Sequence, residues 1–390
     1  MKMEGLRKWL SDVKPHFVKG GRFWWLQSTF EAFETFAFTP DTVTHTGCHV
    51  RDAVDMKRSM ITVVFALLPA LLFGMWNIGR QSGLHGVVGL DGVWSCFWFG
   101  CLRMLPMIAV SYGVGLAIEF TFAQVRGHDV NEGFLVTGLL IPMIVPVTTP
   151  LWQLALAVAF AVVIAKEAFG GTGMNFMNPA LVARAFLFFA YPSHMSGDSV
   201  WIASSLWGSD AITGATPLGE LSSGALRLTA SLADMIVGTT AGSTCETSVL
   251  AILFGAAILL MTGIASWRIM LSVLAGGAAM GIIFNLIGSN TYMQLPFYYH
   301  FVMGGFLFGA VFMATDPVTS AQTNAGRWIY GFLIGLFAVL LRVVNPAYPE
   351  GMMLSILLMN CFAPLIDHCV IARNIKARQV RRKRKEASNG

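Results

Sequence analysis

Gly133-Phe134-Leu135, Pro146-Val147-Thr148 and Asn178-Pro179-Ala180 return later in the chain as Gly305-Phe306-Leu307, Pro317-Val318-Thr319 and Asn345-Pro346-Ala347. The copies follow in the same order, 172, 171 and 167 residues downstream. One shared triplet carries little information; three in register mark an internal repeat. The repeat is set in 390 residues of which 55% are hydrophobic and 12% charged, with a mean hydropathy of +0.64. A soluble domain carries about 25% charged residues, so the chain reads as an integral membrane protein. Forty glycines and 21 methionines suit tightly packed helices, whereas the spans of a β-barrel would alternate in hydrophobicity.

About 20 apolar residues cross a bilayer. Ten such segments can be drawn, at approximately 60–77, 104–122, 133–149, 150–168 and 178–191, then 247–264, 268–287, 298–315, 327–344 and 350–369. Five spans per copy is an odd number, which inverts one copy relative to the other, as in many channels and transporters. The expected fold is an all-α integral membrane protein of about ten transmembrane helices in two inverted five-helix repeats. Pro142, Pro146, Pro179 and Pro364 interrupt several spans. Breaks of this kind are tolerated where the helix lines a watery or protein-filled site.

Lys and Arg set the orientation. Residues 1–59 carry nine of them and the tail carries Arg373, Lys376, Arg378, Arg381, Arg382, Lys383, Arg384 and Lys385, whereas 192–245 has only Arg227. By the positive-inside rule both ends are cytoplasmic. The expected organisation is a cytoplasmic N-terminal extension (1–59), a first repeat (60–191), an extracytoplasmic segment (192–245), a second repeat (246–370) and a basic cytoplasmic tail (371–390). In the extension, Leu6, Trp9, Leu10 and Val13 form an apolar stripe among basic residues, the pattern of a helix lying on lipid. Phe30, Phe33, Phe36 and Phe38 form a second cluster for lipid or a partner subunit. The basic ends account for the net charge of +5 and give no ground for nucleic-acid binding.

Acids within or at the edges of spans are Glu119, Glu132, Glu246, Asp316, Glu350 and Asp367. A carboxylate in hydrocarbon is costly, so such residues face a cavity, a partner or an ion path, or sit at headgroup level. Asp316 lies beside Thr315, Thr319 and Ser320, hard oxygen ligands of the kind an alkali cation uses. Asp316 and Asp367 are therefore ranked first for an ion path. Gly138 and Pro142, in a segment facing the aromatic extension, are candidates for a quinone head group, against the alternative of a glycine-packed helix pair. Six cysteines show no metal-ligand spacing, and there is no Walker loop or Rossmann fingerprint. No metal site, and no catalytic side chain, is assigned.

In the long polar interval stands Asp210-Ala211-Ile212-Thr213-Gly214-Ala215-Thr216-Pro217. Locally it is a turn, with Gly214 permitting positive φ, Thr216 as N-cap and Pro217 in the first helical position. It also resembles the flavinylation signal of bacterial flavin transferases, with Thr216 as acceptor and Asp210, Thr213, Gly214 and Ala215 completing the signal. With the run from Lys166 to Ala180 and the run from Asn360 to His368, it makes the whole chain resemble a family of ion-pump membrane subunits. The family comprises the B-type subunit of the sodium-translocating NADH:quinone oxidoreductase and the homologous D-type subunit of the ion-translocating ferredoxin:NAD oxidoreductase. The extension 1–59 favours the former, and Thr213 stands where serine is common.

That resemblance implies FMN joined through its phosphate to Thr216 by a separate flavin transferase. It further implies non-covalent riboflavin in the helical core and ubiquinone as electron acceptor near the cytoplasmic side. Implied partners are the other subunits of a six-subunit complex in the bacterial inner membrane. They include an NADH-oxidising FAD/iron–sulfur subunit and a second covalently flavinylated subunit. A fold similar to urea transporters is implied too. The competing expectation is a passive solute channel on the same repeat, for which the Thr216 signal would have no use.

Overall fold

A computed structural model describes residues 56–126 (save 88 and 91), 133–203 (save 199), 214–224, 228–345 and 350–388, with scattered positions before residue 56 and no side-chain description for 385 and 388. Among the described residues the elements are helical and none is a strand. The first half contains α1 (Met56–Leu84), α2 (Val93–Arg126), α3 (Phe134–Ile144), α4 (Leu151–Phe169) and α5 (Pro179–Ala190). Two short helices follow, α6 (Pro217–Ser222) and α7 (Leu232–Val237). The second half contains α8 (Val249–Met261), α9 (Trp267–Ile287), α10 (Phe306–Phe308, continued by a π segment Gly309–Met313), α11 (Asn324–Val344) and α12 (Met352–Ser388).

The first two repeated triplets fall at matching places in the two halves, while of the third Asn178 starts a helix and Asn345 ends one. Gly133 and Gly305 are the N-caps of the short helices α3 and α10. Pro146 and Pro317 lie in the breaks that follow them. Asn178 accepts a hydrogen bond from the Ala180 amide at 3.0 Å, with Pro179 in the first turn, so this triplet is a helix start.

Among the described residues six helices are long and apolar enough to cross a membrane: α1, α2, α4, α9, α11 and α12. The other four of the ten segments expected from the sequence are shorter or split. Three further apolar helices, α3, α5 and α8, have only 10–17 residues, and the segment drawn at 298–315 is split. The physical reasons are local. Gly304 takes φ +60 ahead of α10, while Pro146 follows the end of α3. Three boundaries also move: α1 begins at Met56, α2 at Val93, and α12 continues the basic tail as helix to Ser388. Lys, Arg and Glu are good helix formers, and Arg382 meets Glu386 one turn on at 2.8 Å.

Close backbone approach joins the helices. A Cβ on Gly335 of α11 would stand 1.9 Å from the Val273 carbonyl of α9, and one on Gly276 of α9 would stand 2.0 Å from the Phe332 carbonyl. Such small residues let van der Waals contact replace the hydrophobic drive that lipid removes. The two halves meet where α8 packs on α1. They also meet where the Cys245 amide donates to the Met143 carbonyl at 3.1 Å, at the end of α3.

Outside the spans, α7 starts with a capping box. Ser231 accepts from the Asp234 amide at 3.2 Å, and its own hydroxyl and amide donate back to the Asp234 carboxylate, holding that carboxyl below its usual range. In the extension, Lys14 pairs with Glu34 at 2.8 Å and Phe17 stacks on Phe30 at 4.8 Å. The interfacial stripe and Phe33 and Phe36 lie largely outside the described residues.

Candidate functional site

Buried charge gathers at two opposite ends of the molecule. At one end, a cavity of about 120 Å³ is lined by the starts of α1 and α3, the end of α4, and Thr315, Asp316 and Pro317 after α10. At the other, a cavity of about 380 Å³ is lined by the end of α5, by Thr216, by the approach to α8, and by Met303 and Gly304 before α10. Starts of first-half helices thus meet ends of second-half helices at one end, and the reverse holds at the other. The halves run in opposite senses.

In the smaller cavity Lys166 sits at the end of a π segment in α4, with its ammonium paired to Glu119 of α2. Both side chains are almost fully buried, 3% and 4% exposed, and Arg126 pairs with the neighbouring Glu167 at 3.2 Å. Asp316 accepts from the Val318 amide at 3.1 Å, the Thr319 hydroxyl at 3.0 Å and Asn178 Nδ2 at 3.3 Å. The last bond ties the break after α10 to the start of α5, so it links the two halves. The Asp316 carboxylate is thus held by two N–H groups and one hydroxyl, and lines the cavity beside Thr315.

The larger cavity has a charged floor. Arg184 of α5 donates to Glu246 at 3.1 Å, to Ser243 Oγ at 3.3 Å, and pairs with Glu350. Arg342 of α11 is fully buried, and donates to the His300 carbonyl at 2.6 Å and the Glu350 carbonyl at 3.4 Å. Two guanidiniums and two carboxylates balance one another, as buried charges must. On the rim, Thr216 is the N-cap of α6 and its Oγ1 accepts from the Gly219 amide at 3.0 Å.

Gly214 leaves no room for a side chain, since a Cβ there would stand 2.1 Å from Ile202 Cδ1. Ala215 is exposed beside it. Asp210, Thr213 and Glu132 lie outside the described residues.

Gly138 and Pro142 are buried in α3 and do not line either cavity. The Gly138 carbonyl accepts from Ser111 Oγ of α2 at 2.8 Å, and a Cβ on it would stand 2.8 Å from the Tyr112 ring. Asp367 clamps the loop before α11, accepting from the Gln322 amide at 2.6 Å, the Thr323 amide at 3.0 Å and the Thr323 hydroxyl at 2.5 Å.

The buried cations Lys166, Arg184 and Arg342 were not singled out from the sequence as charge partners. The signal was present: lone basic residues inside apolar runs are costly unless paired. A second regularity was hidden as well. Lys166 lies 5.7 Å from the Phe134 ring centroid and Arg342 5.4 Å from that of Phe306. Phe134 and Phe306 are the same member of the repeated triplet, so each half sets a buried cation over the ring that starts its broken helix.

Comparison with known proteins gives a consistent answer along the whole chain. The model of the NQR2, RnfD, RnfE family matches residues 43–376. The chain is 48% identical to the B-type subunit of the Na(+)-translocating NADH-quinone reductase of Stutzerimonas stutzeri over 405 aligned positions, covering 97% of this chain and 99% of that one. It is 48% identical to the protein of the same name from Ectopseudomonas mendocina, with the same coverage. With that from Pseudomonas aeruginosa it shares 47%, again over 97% and 99% of the two chains.

Proposed function

The chain belongs to the NQR2, RnfD, RnfE family, and from that premise we propose that it is the membrane subunit of a redox-driven sodium pump. It passes electrons from a flavin on Thr216, by way of riboflavin, toward ubiquinone while Na⁺ crosses the same subunit. Relatives that carry the quinone-reductase name match 97% of the chain, which favours the quinone reductase over the ferredoxin-linked homologue. Other subunits of the complex oxidise NADH, and a separate transferase installs the flavin.

The observation that carries this reading is the position of Thr216. Its hydroxyl lies on the rim of a cavity of about 380 Å³ with a charged floor, at the end opposite Asp316. A phosphoester at Oγ1 would hold FMN at this rim, and bound flavin supplies the electron chemistry. The chain's own residues do the rest. The Gly219 amide, now bonded to Oγ1, is positioned to donate to an ester oxygen. Arg184 and, beneath it, Arg342 balance the charges of Glu246 and Glu350.

At the opposite end, Asp316 supplies the cation-attracting carboxylate of the ion path. Asp367 acts on that path through the loop it clamps. Lys166 neutralises Glu119, so that one carboxylate rather than two faces the entering ion. Gly138 and Pro142 set the approach of α3 to α2 beside the end at which ubiquinone is reduced. Coupling requires that reduction change the affinity of the ion site, because only a differential interaction shifts a conformational equilibrium.

The deciding experiment replaces Thr216 with Asn. Asparagine is a good N-cap but has no hydroxyl to esterify. The complex is expected to assemble with normal stability while this subunit's band loses covalent flavin fluorescence in a denaturing gel. A fluorescent band in Thr216→Asn would refute the tether.

A further inference from the structure

A third cavity carries positive charge that neither of the first two uses. It holds about 270 Å³ at the Asp316 end of the molecule, between the end of α8, the start of α9, the break after α10 and the first turn of α11. Arg268 and Arg327 line it together with Ser266, Thr315 and Ser320, and none of its lining residues is acidic. Arg268 lies over the Trp267 ring at 5.2 Å, and Arg327 donates from Nε to the Ala321 carbonyl at 3.2 Å. Neither guanidinium joins an ion pair among the described residues. Asp316 is engaged by Asn178, Val318 and Thr319, and Asp367 by Gln322 and Thr323. Ser266 is the N-cap of α9 yet makes no capping bond, and its Oγ is buried without a partner. The uncapped start of this 21-residue helix adds partial positive charge to that of the two arginines.

The surroundings decide which anion suits it. Trp267 of α9 meets Trp328 of α11 edge to face at 5.8 Å, and both rings are exposed. Tryptophans at the ends of spans sit at the level of lipid headgroups. One turn further into the same two helices, Leu271 and Phe332 are exposed as well, an apolar surface for acyl chains. The cavity is smaller than the roughly 300–1,000 Å³ of sites that enclose a whole small molecule. It has room for a headgroup whose chains stay outside. Basic pockets between spans hold anionic lipid headgroups by the same chemistry.

We propose that this cavity binds the headgroup of an anionic phospholipid such as phosphatidylglycerol, in the leaflet at the Asp316 end. The phosphate oxygens accept from Arg268 and Arg327, whose planar forks match phosphate geometry. Ser266 and the first amides of α9 complete the set, and the acyl chains lie along α9 and α11 beside Trp267 and Trp328. Thr315 and Pro317 line both this cavity and the one that holds Asp316. A bound headgroup therefore braces the wall between the two. The site does not depend on the flavin tether at Thr216.

The test uses the purified whole complex in phosphatidylcholine nanodiscs with a trace of phosphatidylglycerol carrying a photoreactive acyl chain. Labelled peptides are mapped by mass spectrometry. The wild-type complex should be labelled within 260–271 and 327–332, and excess unlabelled phosphatidylglycerol should suppress that labelling while inorganic phosphate does not. Arg268→Gln should lower it about fivefold, the share of one basic residue at an anionic surface, relative to labelling elsewhere on the chain. Arg268→Lys keeps the charge and should retain most of it. If Arg268→Gln does not assemble, the wild-type competition decides. Suppression by inorganic phosphate identifies a free-anion site, and equal labelling by a photoreactive phosphatidylcholine identifies ordinary surrounding lipid. Absence of label from these peptides in the assembled complex means that a partner subunit covers the face. Each of these three results, or unchanged labelling in Arg268→Gln, overturns the proposal.

Discussion

Thr216 has two functions that a single alanine substitution would confuse. Its Oγ1 caps α6 through the Gly219 amide, and it is the proposed ester oxygen. Thr216→Ala should lose both, with the missing cap costing about 1 kcal/mol, whereas Thr216→Asn should lose only the ester. The two aspartates part company in the same way. Asp316 lines a cavity and Asp367 binds two backbone amides and a hydroxyl. Both carboxylates accept three hydrogen bonds, so either Asn variant should lower stability by roughly 1–3 kcal/mol as bonds to a charged acceptor are replaced by weaker ones. Asp316→Asn alone is expected also to raise the Na⁺ concentration for half-maximal quinone reduction. Turnover across a Na⁺ titration, with thermal unfolding of the same preparations, separates them; an unaltered Na⁺ dependence in Asp316→Asn would remove it from the path.

Helices here are held by glycine contacts and by a few buried ion pairs. The α9–α11 pair depends on Gly276 and Gly335, where any side chain would meet the neighbouring backbone. Gly335→Val should force the helices apart and cost on the order of 1–3 kcal/mol or more, read as a lower unfolding temperature in detergent. The Lys166–Glu119 pair makes a sharper case. Lys166→Met alone strands a buried carboxylate and should destabilise by about 3–5 kcal/mol. Adding Glu119→Gln should recover most of that loss, because the stranded charge goes with it. If the double variant is no more stable than Lys166→Met, the two residues are not coupled. The pair was half legible in the sequence: Glu119 stands out as an acid in an apolar run, while Lys166 passes as part of a motif.

Across the whole molecule, opposed halves place Thr216 and Asp316 at opposite ends. The expected cytoplasmic side for the basic tail predicts that a membrane-impermeant thiol reagent labels Ser223→Cys from outside intact cells and Asn324→Cys only after permeabilisation. The native cysteines are first replaced, since Cys48, Cys361 and Cys369 are exposed. Labelling of both positions from the same side would contradict the opposed arrangement.

Membrane residence, the helical class and the two related halves are all present in the order of residues. Each depends on local composition or spacing: apolar runs, lone prolines, triplets in register. Thr216 as an N-cap with Pro217 behind it is local too, and it holds in the folded chain. The length of each helix is not local. Proline and glycine breaks at α3 and α10 leave short pieces whose free ends are met by the other half. The pairing of charges is less local still. Lys166 and Glu119 are 47 residues apart, Arg184 and Glu246 62, and Arg184 and Glu350 166. A buried ion needs its counter-ion within a few ångströms in three dimensions, wherever the chain supplies it. Hydropathy records only that each is a costly residue in an apolar run; folding chooses its partner.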